Sequence, residues 1–177
     1  MIDGVRLRSL TNHQDQRGSF AEMYRQEWFS DCPEVVQYQV LTSTAKVMRG
    51  VHVHAVHHDY LVTIGGSFLL GLRDMRHFSP SYGKTLALEL TSENLTLVYI
   101  PPGVAHGFYT PDSSVILLGV SHYWDPEDEL VIRWDDPDLD INWGAGVQPQ
   151  NALERDLCCD PYAKTEAHLA SLLTGQQ

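Results

Sequence analysis

Four of the nine histidines of this 177-residue chain fall between residues 52 and 58, in the run Arg49–Asp59 that reads RGVHVHAVHHD. Histidine is the side chain that titrates nearest neutrality, and it is also the commonest nitrogen ligand for transition metals. A His-x-His pair closed by an aspartate therefore has two chemical uses. As acid–base machinery, the imidazoles would move a proton of a small molecule. As a metal site, clustered imidazoles with a carboxylate would hold a divalent transition metal. In a strand, residues two apart point to one side. His52 and His54 thus share a face, and Val51 and Val53 share the other. Inward imidazoles would make a site; inward valines would leave the histidines in solvent. Alternation alone favours neither.

Strands have to position these residues. From Val35 to Trp134 the chain is a succession of short β-branched-rich segments: VVQYQVLT, HDYLVTI, SFLLGLRDM, TLALELT, LTLVYI, VAHGFYT and SVILLGVSHYW. Between them lie Gly65-Gly66, Ser79–Gly83, Ser92–Asn94, Pro101–Gly103 and Pro111–Ser114, residues that supply turn geometry. Many short strands without intervening helices predict an all-β antiparallel sandwich or barrel. Only the tail reads as helical: in DPYAKTEAHLASLL, Asp160 is placed to cap and Pro161 to open a helix. A single domain over 1–177 is expected, with a barrel core of about 35–134 and a C-terminal extension over 135–177.

Composition narrows the partners. The formal net charge is −11, with 43% hydrophobic and 20% charged residues. No basic run is available to neutralise phosphates, so neither nucleic acid nor an anionic membrane is an expected partner. A small anion remains open, because a pocket needs only two or three arginines. The three cysteines, Cys32, Cys158 and Cys159, read as reduced thiols. The first residues lack the apolar core of a signal peptide, and no apolar run approaches membrane-spanning length. A cytoplasmic protein is expected.

Two motifs then carry a family resemblance. His-x-His with its acidic follower and the Gly65-Gly66 turn resembles the first cupin motif; IPPGVAHGF, with Pro101, Gly103 and His106, resembles the second. They imply a cupin double-stranded β-helix (jelly-roll) barrel with a short C-terminal helix, and a metal-binding cupin would use His52, His54, Asp59 (or His58) and His106, with positions left open for substrate. A longer ordered set consists of DQRGSFAEMYRQEWF, RGVH, SPSYG, IPPGVAHGF, YWDPEDELVIRWDDPDLDINW and LERD. Together these resemble the dTDP-4-dehydrorhamnose 3,5-epimerase family from near the N-terminus to about Asp160. That resemblance implies a homodimer without metal or cofactor, acting on a nucleotide-diphosphate 4-keto-6-deoxy sugar. Its base would be His52, oriented by Asp156. Arg17, Glu22, Gln37 and Arg49 would bind the nucleotide, His106 would line the pocket, and Trp124 would stack near the base.

Three positions depart from the family's pattern. Leu118 stands where its catalytic tyrosine falls, Tyr60 where a lysine is expected, and Leu70 where an acidic residue normally faces the pocket. His54 replaces a glutamine, and RG-x-H-x-H is the pattern of the neighbouring nucleotide-sugar 3,4-ketoisomerases, a branch that also carries a pocket tyrosine near Tyr38. The expectation is an epimerase working at one carbon, with His54 or Tyr60 supplying the returning proton. The alternatives are a ketoisomerase using His52 and His54, a metal-dependent cupin enzyme, and an inactive nucleotide-sugar-binding protein. His57 and His58 are expected in solvent where the strand leaves the barrel.

Overall fold

The computed structural model describes residues 1–145 and 147–175. Its strands are β1 (Arg6–Ser9), β2 (Asn12–Asp15), β3 (Gly18–Ala21), β4 (Gln37–Ser43), β5 (Val47–His54) and β6 (Asp59–Asp74). They continue with β7 (Thr85–Thr91), β8 (Thr96–Ile100), β9 (Val104–Thr110), β10 (Ser114–Val120) and β11 (Glu129–Val131). Two helices follow, α1 (Glu154–Leu157) and α2 (Tyr162–Thr174). The spine is β6. Its first half pairs with β8 and β10, its second half with β7 and β9, all antiparallel. Adding β1 on β8 and β4 on β10 completes one sheet; adding β5 on β9 and β11 on β5 completes the other. The result is the expected jelly roll, with β1 joining it from outside the expected 35–134 core.

The expected break at Gly65-Gly66 is instead a bend within one strand. Gly66 has φ +68, and a Cβ there would lie 2.0 Å from the Ser113 carbonyl oxygen. Only glycine lets the backbone bend this close to β10, whose register with β6 shifts at the same place. β6 can therefore leave one sheet and enter the other without a loop.

Alternation along the strands builds three apolar layers. Leu61, Phe68, Leu70, Leu72, Val98 and Ile116 fill the space between the sheets. Leu70 is wholly buried among them, which explains why this chain carries no charge at that position. On one outer face Tyr60, Val62 and Tyr99 are covered by Phe29 and its neighbours from the N-terminal segment. On the other, Val51, Val53 and Tyr109 are covered by Ile132, Leu139, Trp143 and Leu169 from the C-terminal extension. Each large side chain so enclosed contributes about 1.5–3 kcal/mol.

The SPSYG segment serves the fold. Ser79 Oγ and Ser81 Oγ each donate to Asp74 Oδ2 at 2.6 Å, and the buried Arg76 guanidinium grips the same carboxylate at 2.8 and 2.9 Å. The C-terminal helix differs from expectation in its cap. Asp160 pairs with Lys164, and the Tyr162 amide donates to Asp136 Oδ2 at 3.1 Å. A carboxylate from the preceding loop thus satisfies a helix donor and pins the extension to itself. Among the described residues no helix is long and apolar enough to cross a membrane, and the three cysteines are free thiols.

Candidate active site

The pocket owes its histidines to a bulge in β5. Arg49 lies opposite Phe108 and His52 opposite His106, so three steps on β5 match two on β9. Without the extra residue, Arg49 and His52 would face opposite sides of the sheet. Gly50 makes this possible: its φ is +84, and a Cβ would meet the His52 amide nitrogen at 2.9 Å and the His106 carbonyl at 3.0 Å. Beyond the bulge, alternation places Val51, Val53 and Ala55 in the outer core and His52 and His54 in the barrel interior. The question that alternation left open is resolved by the C-terminal extension, which makes both faces of β5 buried.

A cavity of about 180 Å³ results, lined among others by Gln39, Arg49, Leu118, Trp124 and Leu153. Its ionisable wall has two halves. In the first, His52 Nδ1 lies 3.1 Å from Glu129 Oε1 and His52 Nε2 lies 3.5 Å from Asp156 Oδ1. Both carboxylates are almost wholly enclosed. Glu129 opens β11, paired opposite His54, and Asp156 lies on the single turn of α1. Each ring nitrogen of His52 thus faces a carboxylate oxygen, and the two contacts fix the orientation of the ring in the cavity.

The second half holds three more imidazoles around Asp59. Its carboxylate lies 3.8 Å from His54 Nε2, 3.6 Å from His57 Nε2 and 3.5 Å from His106 Nε2. Burial, then the neighbouring His106, His57 and His52, holds His54 well below its ordinary pKa. Burial likewise takes His106 down to about 3. For His57, burial pulls the pKa down, but the bond to Asp128 and the Asp59 charge outweigh it and raise the value. Burial raises Asp59 to about 7, against the opposing pull of His57 and His52.

Several expected residues stand elsewhere. Tyr60 does not reach the cavity: next to the inward Asp59 it must point outward, where it is buried against Phe29 and Tyr99 and donates to the Pro33 carbonyl. It is no proton donor for this pocket. Tyr38 is equally on the outer side of β4, between the inward Gln37 and Gln39. Arg17 is 89% exposed on the β2–β3 hairpin, paired with Asp15, and Glu22 binds Arg25 just beyond it; neither lines the cavity. Arg49 does, anchored to Ser43 Oγ and the Thr42 carbonyl. Gln37 accepts from the Trp124 amide, and Trp124 is half exposed at the mouth, where its indole N–H donates to Glu129 Oε2 at 3.3 Å.

His57 and His58 are the other correction. His57 is buried in the wall, because Asp128 draws the loop inward by accepting from the amides of Ala55, Val56 and His57 at 3.0–3.1 Å. His58 is half-buried and turned to the Tyr99 hydroxyl at 2.6 Å. Of the expected metal set, His54 and Asp59 lie with His57 in one group whose donor atoms are within 4.8 Å of one another, whereas His52 faces Glu129 and Asp156. Sequence reasoning also missed Glu129, Asp128 and Gln39. The acidic run DPED-Glu129 was the available signal for the first two. Leu118 does line the cavity, and among the described lining residues there is no tyrosine or lysine.

With this geometry in view, comparison with known proteins is direct. Residues 1–163 match the sequence profile of the dTDP-4-dehydrorhamnose 3,5-epimerases. A dTDP-4-dehydrorhamnose 3,5-epimerase of Sinorhizobium fredii is 35% identical over 138 residues, 73% of this chain and 70% of its own length. One of Neisseria gonorrhoeae is 31% identical over 159 residues, 86% of this chain, and the chain spans about half (48%) of that relative. Among solved structures, ChmJ, a 3'-monoepimerase of Streptomyces bikiniensis in complex with dTDP-quinovose, superposes with a TM-score of 0.88. It is 26% identical, and the superposition covers 99% of this chain and 94% of ChmJ. This cupin jelly roll therefore belongs to the dTDP-4-dehydrorhamnose 3,5-epimerase family, isomerases that act on carbohydrates.

Proposed function

We propose that this chain epimerises one carbon beside the ketone of a dTDP-linked 4-keto-6-deoxyhexose. The observation that carries the reading is His52, inside the barrel between Glu129 and Asp156. A C–H next to a ketone is acidified because its carbanion is an enolate, and removal needs a base that titrates near neutrality. His52 is that base. Reprotonation at a second centre has no tyrosine to serve it, since Leu118 occupies the wall. The Asp59 carboxyl, raised to about 7, and His57 beside it are the remaining proton sources.

The cavity is smaller than the ~300–1,000 Å³ of a typical ligand pocket. It suits the uncharged sugar ring, leaving the nucleotide across the mouth beside Arg49 and the exposed face of Trp124. Arg49 offers the diphosphate a guanidinium fork, and Trp124 offers the base a surface to stack on.

Two copies of the chain pair, in this reading, through the outer face of the sheet ending in β4, where Val36, Tyr38, Val40 and Ile64 are exposed. An apolar stretch of that kind on an edge strand marks an interaction surface. The free thiols support a reducing, cytoplasmic setting.

The test is proton exchange in D2O with dTDP-4-keto-6-deoxyglucose, followed by NMR at C3 and C5. Deuterium entering at one carbon, and not at all in His52→Ala, is the expected result; label at neither carbon in the unmodified protein overturns it. A second reading is a 3,4-ketoisomerase, favoured by His54 lining the same cavity as His52. A product whose carbonyl has moved to C3 would select it.

A further inference from the structure

We infer that Cys158 and Cys159 are a reversible oxidation site, closing to a disulfide between neighbours that draws Asp156 away from His52. The chemistry of the two sulfurs is independent of the epimerase reading; its consequence for turnover rests on that reading.

The pair follows directly on α1, the single turn that carries Asp156, and both residues are tied to that turn. The Cys158 amide donates to the Glu154 carbonyl at 2.9 Å, and Cys159 Sγ donates to the Asp156 carbonyl at 3.6 Å. Cys158 is exposed. Cys159 is half-buried and opens on a groove of about 380 Å³ between β11 and α2, with Leu130, Lys164 and His168 beside it. A small oxidant in solvent thus reaches both sulfurs, whereas Cys32 is buried in the apolar layer around Phe29. Glu129 lines this groove as well as the cavity, so the two share a wall. The sulfurs therefore lie on the segment that presents both carboxylates to His52.

The two thiols differ in readiness. Burial, helped by the Asp156 charge, raises the Cys159 pKa, so the exposed Cys158 is the first to react. With hydrogen peroxide as oxidant, the Cys158 thiolate attacks one oxygen and the O–O bond breaks. A sulfenic acid and hydroxide result, and the hydroxide takes up the proton the thiol had lost. The Cys159 sulfur then attacks Cys158; S–S forms, S–O breaks, and the oxygen leaves with the Cys159 proton as water. Two thiols and one peroxide give one disulfide and two waters. Neighbouring Cα atoms stand about 3.8 Å apart, short of the about 4.4–6.8 Å that an ordinary disulfide spans. The backbone at Cys158, now at φ −107 and ψ 25, must turn to close so small a ring, and the bond reopens readily to a thiol. Closure also removes the Cys159 hydrogen, and with it the bond to the Asp156 carbonyl. α1 is four residues long and has no side-chain cap, so a turn forced at Cys158 is passed on to Asp156, 3.5 Å from His52. Glu129 sits on β11 and keeps its contact, so the oxidised protein is slowed rather than silenced.

The experiment reduces the full-length protein, removes the reductant and adds a small excess of hydrogen peroxide. Free thiols, counted after denaturation, should fall from three to one, and the intact mass should drop by two hydrogens. Peptide mapping should place the bridge between Cys158 and Cys159, and dithiothreitol should restore every thiol. Cys158→Ser and Cys159→Ser should each prevent the loss of two hydrogens; the second keeps a donor to the Asp156 carbonyl. Two readouts follow Asp156. The ring NMR signals of His52 should shift on oxidation and return on reduction, and should do neither in the serine variants. Proton exchange into dTDP-4-keto-6-deoxyglucose at saturating substrate should slow by about 10-fold or more, the size of one charged hydrogen bond, and recover with dithiothreitol. The site is overturned if peroxide yields sulfinic or sulfonic acids, or bridges between two chains, in place of the internal bond. Its control of turnover is overturned if the bridge forms while the His52 signals and the exchange rate stay as they were. A reduced protein that exchanges no proton, yet forms the bridge and shifts His52, overturns the epimerase reading and leaves the oxidation site standing.

Discussion

Replacing Glu129 by Gln or Asp156 by Asn keeps the shape of the pocket and removes one charge from beside His52. The consequence can be worked from distance. An imidazolium 3.1 Å from Glu129 or 3.5 Å from Asp156 gains about 5 kcal/mol from each at an effective dielectric constant near 20. That is an upper bound, because each amide still accepts a hydrogen bond and the carboxylates are themselves costly to bury. A charged hydrogen bond is worth about 1.5–3 kcal/mol net, which is about 10- to 150-fold in rate. If His52 is the base, the charge forms as the substrate proton is transferred, so the loss should fall on kcat and leave KM nearly unchanged. Glu129→Gln should be the more damaging of the two, because its contact is the shorter. The assay is the initial rate of deuterium entry into dTDP-4-keto-6-deoxyglucose at saturating substrate. Rates within threefold of the unmodified protein for both variants, or a loss confined to KM, would refute His52 as the base between these two acids.

Four other expectations follow from the same geometry. Asp74→Ala strands the buried Arg76 and should cost about 3–5 kcal/mol in urea unfolding. Burial alone would raise the Asp74 pKa, but the bonds from Arg76, Ser79 and Ser81 outweigh it and hold it down; its contribution is complete above about pH 4 and lost as pH falls through the lower folded value, so the variant should lose less stability on acidification. Gly50→Ala puts a Cβ against the His52 amide at a positive φ, and should cost about 1–3 kcal/mol and most of the exchange activity together. Val40→Glu charges the exposed face of β4 and should convert a dimer to a monomer in sedimentation velocity; an unmodified protein already monomeric at micromolar concentration rules the pairing out. Leu118→Tyr returns a hydroxyl to the cavity wall and should add deuterium at a second carbon, for a stability cost of about 1–3 kcal/mol from overpacking; unaltered single-carbon labelling would show that the missing tyrosine is not what limits the reaction.

The strands, and the fact that His52 and His54 share a face, were legible because alternation is a local property; which way that face turns was not, since it depends on the extension that covers Val51 and Val53. Gly65-Gly66 misled for a physical reason: glycine marks both a turn and a bend, and only the approach of Ser113 tells them apart. Tyr60 could have been excluded from sequence alone, since it neighbours Asp59 and adjacent strand residues face opposite ways. Glu129 and His57 were out of reach. Glu129 faces His52 only because β11 pairs with β5 across some seventy residues, and no periodicity reports such a pairing. His57 is enclosed because Asp128 gathers three amides of its loop, a contact again made by a distant segment. Arg17 and Glu22 show the opposite case, motif residues on an exposed hairpin outside the cavity.

The long-range contacts also explain why the family's outline and the His-x-His strand belong together in one molecule. β5 supplies His52 and His54, but the 126–157 segment supplies Asp128, Glu129 and Asp156, and with them polar partners for the rings of His52, His54 and His57. That segment is held down by Ile132, Leu139 and Trp143 against Val51 and Val53, the very residues that alternate with His52 and His54. Packing on one face of β5 therefore sets the electrostatics on the other. A cavity-forming change such as Trp143→Ala, 7% exposed and remote from any substrate, should loosen Glu129 and Asp156 together and lower proton exchange beyond its effect on stability. The coupling is structural rather than chemical: two halves of one strand's side chains answer to the same covering segment, and the acid–base half exists only when the apolar half is packed.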